Sequence, residues 1–234
     1  MTRAVACALF CTLAALPFAP AVAEDNAWTA CRQAIAAAEP GSGVPPGLLG
    51  AIALVESGRS DPRTGRIAPW PWTWNVEGEG HTAPTREAAV AAVSALLARG
   101  QRSIDIGCMQ VNLLHHPTAF PRLEEAFDPT ANIRYATAFL KELRVRTGDW
   151  AQAVASYHSG EVERGLAYHR RVLLARLGAA WATGGTVPLP VKAGAGLCAP
   201  GLHPAMAIRR SAARVARAAA TWPRLVCRRM TRGG

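Results

Sequence analysis

The chain has 234 residues, of which 50% are hydrophobic, 18% are charged and 6% are aromatic. This composition excludes an intrinsically disordered chain, a collagen-like repeat and a membrane channel, and the length suits one or at most two domains. The formal net charge is +10, but the segment 164–234 contains 13 of the 26 basic residues and no acidic residue. We therefore expect a nearly neutral body without a nucleic-acid partner, followed by a basic segment suited to an anionic surface.

The N-terminus has the pattern of a signal peptide over residues 1–23. It begins with a positive charge, continues with an apolar run over 4–18, and ends with small residues at the signal peptidase positions 21 and 23. A membrane anchor is the alternative, but prolines interrupt the region and the run is shorter than the roughly 20 residues of a span. The sequence predicts export to the periplasm and no transmembrane segment in the mature chain.

Cleavage after residue 23 would leave four cysteines, namely Cys31, Cys108, Cys198 and Cys227. An even number of cysteines in an oxidising compartment predicts disulfides, and four cysteines allow three pairings. No CxxC pair occurs, so we expect no zinc site.

The mature chain is expected to begin with two helices. The first is capped at Asp25 or Asn26 and ends before Pro40. The second, over 47–55, is apolar on every side, which is typical of a buried central helix, and it leads directly into Glu56.

The following segment, 59–82, is expected to be non-helical. Large and small residues alternate over 70–76, which predicts a short strand with Trp70, Trp72 and Trp74 on one side. These indoles would suit stacking on sugar rings, but burial against the next helix is at least as well supported, because indoles mostly serve packing.

Four more helices complete the predicted domain. Three of them are expected to start from caps at Thr85, Asp128 and Asp149, and the last to span roughly 163–181. The sequence thus predicts a mainly α domain over 24–181 with a small β element. Residues 182–234, rich in Gly, Pro and Arg, are predicted to be a flexible, poorly ordered basic tail.

Glu56 is the first candidate catalytic residue. It ends a helix whose preceding residues are apolar, and both that environment and the negative end of the helix dipole oppose ionisation. A carboxyl group that stays protonated near neutral pH is what a general acid needs to protonate a glycosidic oxygen. The alternative is a helix-end glutamate turned to solvent.

Three blocks of sequence, 49–58, 106–112 and 155–160, together resemble the soluble lytic transglycosylases. Within that family they are most similar to small exported members associated with secretion systems and conjugation. The resemblance covers about 28–172. It implies a lysozyme-like α fold with a small β-hairpin element and cleavage of the β-1,4 bond between N-acetylmuramic acid and N-acetylglucosamine in peptidoglycan.

The resemblance also implies roles for individual residues, with Glu56 as catalytic acid and then base. Contact with the substrate is implied for Ser57, Gly107, Met109, Gln110, Tyr157 and His158. Ser57 would orient the sugar or the carboxyl group, and Tyr157 would hydrogen-bond near Glu56 and support its protonated form. The C6 hydroxyl of the muramic sugar would attack its own C1, so that no second carboxylate, metal or organic cofactor is needed.

The sequence departs from the family pattern in three respects. The separation of 51 residues between Glu56 and Gly107 predicts an insertion at about 66–103. Cys108 replaces a more usual aliphatic residue. His158 replaces the usual Asn, and a helix-end histidine with satisfied hydrogen bonds is favoured there over a titrating group in the cleft.

Two alternatives to a transglycosylase remain open. A lysozyme-type muramidase would use a second acid, for which the candidates are Asp61, Glu77, Glu79 and Asp105, although solvated loop acids are the favoured interpretation. A non-catalytic wall-binding assembly factor would keep only the fold. The expected partners are peptidoglycan strands, with an envelope-spanning secretion or conjugation apparatus as a candidate.

The cysteine pairing that we favour joins Cys31 to Cys108 and Cys198 to Cys227. The first bond would tie the first helix to the loop that carries Met109, and the second would close the tail on itself. A buried free thiol at Cys108 is the alternative.

Overall fold

The computed structural model describes residues 21–183, 185–188, 198–208 and 224–229. The predicted signal peptide lies almost wholly outside these residues. Within the described part, no helix is both long and apolar enough to cross a membrane.

Seven helices are present among the described residues. They are α1 (Ala21–Ala38), α2 (Leu48–Ser57), α3 (Arg86–Ala98), α4 (Leu123–Ala126), α5 (Pro129–Thr147), α6 (Trp150–His158) and α7 (Val162–Thr183). The caps predicted at Thr85, Asp128 and Asp149 are confirmed, because each side chain accepts a hydrogen bond from a backbone N–H in the first turn of its helix. The cap predicted for α1 is wrong, since that helix already includes Asp25 and Asn26.

Nine short strands form three antiparallel sheets in the described residues. The strands are β1 (Gly58–Ser60), β2 (Ile67–Pro69), β3 (Thr73–Val76), β4 (Glu79–Thr82), β5 (Ile104–Ile106), β6 (Val111–Asn112), β7 (Gly185–Pro188), β8 (His203–Ile208) and β9 (Arg224–Arg228). The sheets have the orders β1-β2, β4-β3-β5-β6 and β7-β8-β9. The β element is therefore larger than the predicted hairpin. The strands β5 and β6, which lie at the two ends of the second sequence block, extend the sheet beyond β3.

The central helix predicted from the apolar run is confirmed in α2. Leu49 and Ile52 are fully buried, in a cluster with residues from α1, α5, α6 and α7. Burial decreases in the last turn, where the residues 54–56 are only partly covered. Glu56 therefore lies where one face of α2 leaves the core, whereas the last residue of the helix, Ser57, is buried.

A second core lies between the four-stranded sheet and α3. Its fully buried members include Val93, Ile104 and Phe127. The segment 66–103, which we expect to be an insertion, supplies β3, β4 and α3 to this core, whereas its strand β2 pairs with β1 and packs through Ala68 in a separate cluster with Trp28 and Trp70. The strand predicted over 70–76 begins only at Thr73.

The described part of the C-terminal segment contains a sheet that the sequence did not indicate. Strands β7, β8 and β9 pair in it, and Val187 and Ala205 are 2% and 4% exposed. Cys198 and Cys227 form a disulfide at the same end of the chain. The rest of the tail predicted over 182–234 lies outside the described residues.

Candidate active site

Glu56 lies in the last turn of α2, and its half-buried carboxyl group accepts a hydrogen bond from the hydroxyl of Tyr168 on α7. Burial raises the pKa of Glu56 from 4.5 to about 7, because it disfavours the charged form. The Tyr168 hydrogen bond lowers this pKa, the charge of Asp105 raises it, and the guanidinium of Arg171 lowers it. At neutral pH the group is thus divided between acid and carboxylate.

The loop 107–110 forms a tight turn beside this helix end. Gly107 has a φ of 80°, and a Cβ atom there would lie 2.6 Å from Nδ2 of Asn132, so only glycine fits. Gln110 has a φ of 47°, which is a strained conformation for a residue with a side chain. Its Nε2 donates to the carbonyl oxygen of Gly107 at 3.0 Å, which closes the turn.

The helices α1 and α2 both hold this loop at Cys108. A disulfide joins Cys31 of α1 to Cys108, as the favoured pairing predicted. The hydroxyl of Ser57 in α2 donates to the carbonyl oxygen of Cys108 at 2.7 Å. The residue after the catalytic candidate therefore fixes the loop to the end of its own helix.

The helices α5 and α6 hold the same loop at Met109. The buried Asn132 of α5 accepts from the backbone N–H of Met109 at 2.9 Å and donates through Nδ2 to the carbonyl oxygens of Ile106 and Ala126, at 2.9 and 3.0 Å. The hydroxyl of Tyr157 in α6 donates to the carbonyl oxygen of Met109 at 2.9 Å. Side chains from four helices thus fix the backbone of one short loop.

Four of the predicted substrate contacts have other roles in this geometry. The side chains of Ser57 and Met109 are 5% and 0% exposed, so they face the protein interior rather than a bound sugar. The hydroxyl of Tyr157 bonds to the loop, and the hydroxyl that reaches Glu56 belongs to Tyr168. Gly107 is also buried, and its part in the site is to allow the turn.

The remaining two predicted contacts lie closer to solvent. Gln110 is half-buried at the end of the loop, and His158 is exposed at the end of α6. The imidazole of His158 stacks on the ring of Tyr168, with centroids 4.6 Å apart and planes inclined by 8°. Partial burial of the ring, followed by the charge of Arg171, lowers the pKa of His158 below its ordinary value of 6.5, which favours the neutral imidazole.

Tyr168 and Asn132 are the two site residues that sequence reasoning missed. Tyr168 belongs to the buried face of α7, together with Gly165 and Val172, and this helical spacing could have marked it. Asn132 is fully buried beside Ile133 on α5. A polar residue on an apolar helix face must have partners, which could have marked it as well.

Of the candidate second acids, Asp105 is the one whose charge raises the pKa of Glu56. It lies on β5, accepts a hydrogen bond from Asn112 at 2.9 Å, and has its pKa raised by burial. Asp61 is paired with Arg63 through Nε at 3.0 Å. Glu77 and Glu79 are exposed around the turn between β3 and β4, as expected for solvated acids.

The tryptophans of the predicted strand serve packing rather than a glycan platform. Trp70 is 1% exposed and lies 4.5 Å from Trp28 of α1 between ring centroids. Trp74 is 8% exposed and belongs to the second core beside α3. Trp72 is partly buried and packs edge-on against Trp70.

The comparisons with known proteins identify one family. The family model described as "Transglycosylase SLT domain" matches residues 33–170, which is more than half of the chain and contains the three sequence blocks. Searches of curated proteins and of solved structures gave no significant match. Members of the matched family are lytic transglycosylases that act on peptidoglycan, and this chain belongs to the transglycosylase SLT domain family.

Proposed function

We propose that this protein cleaves the β-1,4 bond between N-acetylmuramic acid and N-acetylglucosamine and leaves a 1,6-anhydro-muramic end. Glu56 is the single general acid and base. The observation that carries the proposal is the placement of this carboxyl group, half-buried at the end of an apolar helix, with a pKa of about 7 and a phenol donating to it.

The two opposing effects on Glu56 suit its two tasks. Burial keeps a fraction of the group protonated at neutral pH, so that it can donate a proton to the glycosidic oxygen as the bond breaks. Because Tyr168 donates to Oε1, the other oxygen, Oε2, is left to carry that proton. The same hydrogen bond stabilises the carboxylate that remains, which next takes the proton of the C6 hydroxyl.

The sugar supplies its own nucleophile in this reaction. The C6 oxygen attacks C1 of the same ring, forming a C–O bond as the bond from C1 to the leaving oxygen breaks. No water is consumed, and the proton lost from C6 replaces the one that Glu56 gave to the leaving sugar. Since the attacking oxygen is already tethered to the reacting ring, the entropic cost of recruiting a nucleophile is largely absent.

A muramidase is the second candidate, because the charge of Asp105 acts on Glu56. In that reaction an ionised Asp105 would act as nucleophile or activate a water molecule. Burial raises the pKa of Asp105, and its one hydrogen-bond donor among the described side chains is Asn112, so its ionised form is weakly stabilised. We favour an electrostatic role for Asp105, in which the fraction of it that is ionised raises the pKa of Glu56.

The two candidates predict different results for a pair of isosteric variants assayed on purified peptidoglycan. Glu56→Gln is expected to lower turnover by at least about 100-fold, because proton transfer contributes about 10²–10⁴-fold. Asp105→Asn is expected to retain most of the turnover and to move the loss of activity at high pH to lower pH. A loss in Asp105→Asn as large as that in Glu56→Gln would favour the muramidase, and full activity in Glu56→Gln would exclude both.

We also infer that the protein acts after export to the periplasm. The two disulfides suit an oxidising compartment, and peptidoglycan lies outside the cytoplasm. Intact-mass measurement of the protein from a periplasmic fraction is expected to give a chain that begins at Glu24.

An envelope-spanning apparatus is the proposed partner, and co-purification of such a complex with the protein would support it.

A further inference from the structure

An open pocket lies beside the strand that follows Glu56. It has a volume of about 370 Å³ and is lined by Arg59 and Ser60 of β1, by Thr82 of β4, and by the indoles of Trp28 and Trp70. Sites for small ligands measure about 300–1,000 Å³, so the pocket has room for a small group. None of the roles described above uses it.

Arg59 is the cationic group of this pocket, and its position is fixed by two indoles. Its Cζ atom lies 5.5 Å from the ring centroid of Trp28 and 5.0 Å from that of Trp70. Both indoles are buried, and Nε1 of Trp70 donates to the carbonyl oxygen of Ala83 at 3.0 Å. A guanidinium stacked on a rigid aromatic surface keeps its N–H groups at the edge available for a planar anion.

The described residues provide Arg59 with no carboxylate partner. The nearest acid in the sequence, Asp61, is occupied by Arg63, which donates to it through Nε at 3.0 Å and Nη2 at 3.1 Å. The exposed residues Ser60 and Thr82 add hydroxyl groups to the same wall. A half-buried, unpaired guanidinium with neighbouring hydroxyls has the donors that a carboxylate can accept.

The pocket is within reach of a substrate held at Glu56. Three residues span at most about 11 Å, so the Cα atoms of Glu56 and Arg59 are no farther apart than that. In peptidoglycan each muramic sugar bears a stem peptide on its lactyl group, and the residues of this peptide have free carboxylates. A stem of three residues extends about 10 Å from the sugar, which is comparable to this upper limit on the Cα separation of Glu56 and Arg59.

We propose that the Arg59 pocket binds a carboxylate of the stem peptide and makes the protein prefer peptide-bearing glycan strands to naked ones. This inference rests on the proposed function, because it assumes a muramic sugar at Glu56. It assigns to Arg59 a role in substrate selection rather than in the chemical step.

A kinetic comparison tests the preference with two substrates, glycan strands that bear stems and the same strands stripped by an amidase. Arg59→Gln is expected to lower kcat/KM on the stem-bearing strands by about tenfold or more, which is the effect of losing a hydrogen bond to a charged group. It should leave kcat/KM on naked strands unchanged. Arg66→Gln, which removes an exposed charge before β2, is the matched control and should resemble the wild type on both.

Equal losses on the two substrates, or no loss on stem-bearing strands, would overturn the inference. Such a result would leave the proposed function intact as long as the wild-type protein still produces anhydro ends. If the wild type cleaves neither substrate, the proposed function fails instead.

A binding measurement tests, independently of turnover, whether the Arg59 pocket binds the stem peptide. The probe is the free tripeptide of alanine, γ-linked glutamate and diaminopimelate, titrated calorimetrically into the Glu56→Gln protein. We expect it to bind, and to lose that binding after amidation of its carboxylates or after the further change Arg59→Gln. Binding of the amidated peptide, or equal binding of inorganic phosphate, would contradict recognition of a stem carboxylate.

Discussion

Among the single residues of the site, Tyr168 has the most direct influence on Glu56. Its hydroxyl donates to the carboxyl group, and its ring is stacked against His158. Arg171 also lies over this ring, with Cζ 5.5 Å from the centroid. These contacts fix the phenol, so that it stabilises the carboxylate form of Glu56 and limits the rise in pKa that burial causes.

Replacement of Tyr168 by Phe is expected to move the pH dependence of activity. Without the hydroxyl the pKa of Glu56 rises further, so the protonated acid persists to higher pH and the alkaline limb of kcat/KM shifts upward. The maximal rate should fall by about tenfold, because the carboxylate formed on proton transfer loses a charge-assisted hydrogen bond. An unchanged alkaline limb, measured between pH 5 and 9, would show that Tyr168 does not act on this proton.

The same pKa has a consequence for the stability of the folded protein. Because the folded-state pKa of about 7 lies above the ordinary value of 4.5, the folded state binds the proton more tightly. The free energy of unfolding therefore falls as the pH rises from about 4.5 to about 7. Above pH 7 it stays lower by the full amount that the shift in pKa represents. The shift corresponds to about 3 kcal/mol.

Glu56→Gln is accordingly expected to stabilise the protein at pH 8 by up to about 3 kcal/mol and to change little at pH 4, where both forms are neutral. Urea unfolding at the two pH values measures the difference. A variant that is no more stable than the wild type at pH 8 would indicate that the carboxyl group is not desolvated.

At the scale of elements, four helices converge on one loop, and one of them, α2, is attached at both ends to a fifth helix, α7. Arg176 of α7 donates to the carbonyl oxygen of Pro46 before α2, through Nε at 3.1 Å, and Tyr168 meets Glu56 at the other end of α2. Burial lowers the pKa of Arg176 to about 10, so it keeps its charge at neutral pH. The position of Glu56 relative to the loop is thus set by helix packing.

The local elements could be predicted from the sequence, and the contacts between them could not. The caps at Asp128 and Asp149 depend on a few neighbouring residues, and the apolar run of α2 predicts that this helix is buried. The hydrogen bond between Glu56 and Tyr168 joins positions 112 residues apart, and only the assembled fold brings them together. For the same reason the sequence does not indicate that the hydroxyl of Tyr157, which belongs to a recognisable block, donates to the carbonyl oxygen of Met109.

Asn132 provides the test at this scale. Asn132→Ala removes three buried hydrogen bonds to the backbone around the loop, and we expect a loss of about 3 kcal/mol in stability and at least a tenfold loss in kcat/KM. Asn132→Asp has the same shape but turns a carboxylate oxygen toward two carbonyl oxygens, so it should be at least as damaging at pH 8. Denaturant unfolding and turnover assays measure both effects, and wild-type values for Asn132→Ala would contradict the role given to this residue.

In the whole molecule, residues 1–163 are nearly neutral, whereas residues 164–234, which include most of α7 and the C-terminal sheet, have only basic charges. Each part has its own disulfide among the described residues. Cys31–Cys108 spans 77 residues of the body, and Cys198–Cys227 spans 29 residues at the C-terminal sheet. The first bond links α1 to the loop at the site, so its loss should affect both stability and activity.

The double change Cys31→Ser and Cys108→Ser is expected to lower the free energy of unfolding by about 2–4 kcal/mol, because it removes a crosslink that restricts the unfolded chain. The matched control is the pair Cys198→Ser and Cys227→Ser, which should leave turnover unchanged. Thermal unfolding and peptidoglycan turnover distinguish the two pairs. Equal losses of activity in both would contradict a specific role of the first disulfide at the loop.

In the proposed reaction the sugar's own C6 hydroxyl replaces water as the nucleophile, and Glu56 carries out both proton transfers. Digestion of peptidoglycan in H₂¹⁸O, followed by mass spectrometry of the released fragments, tests it most directly. We predict muramic ends that are lighter than reducing ends by one water and free of ¹⁸O. Reducing muramic ends with an ¹⁸O atom at C1 would show that water attacks and would contradict the claim.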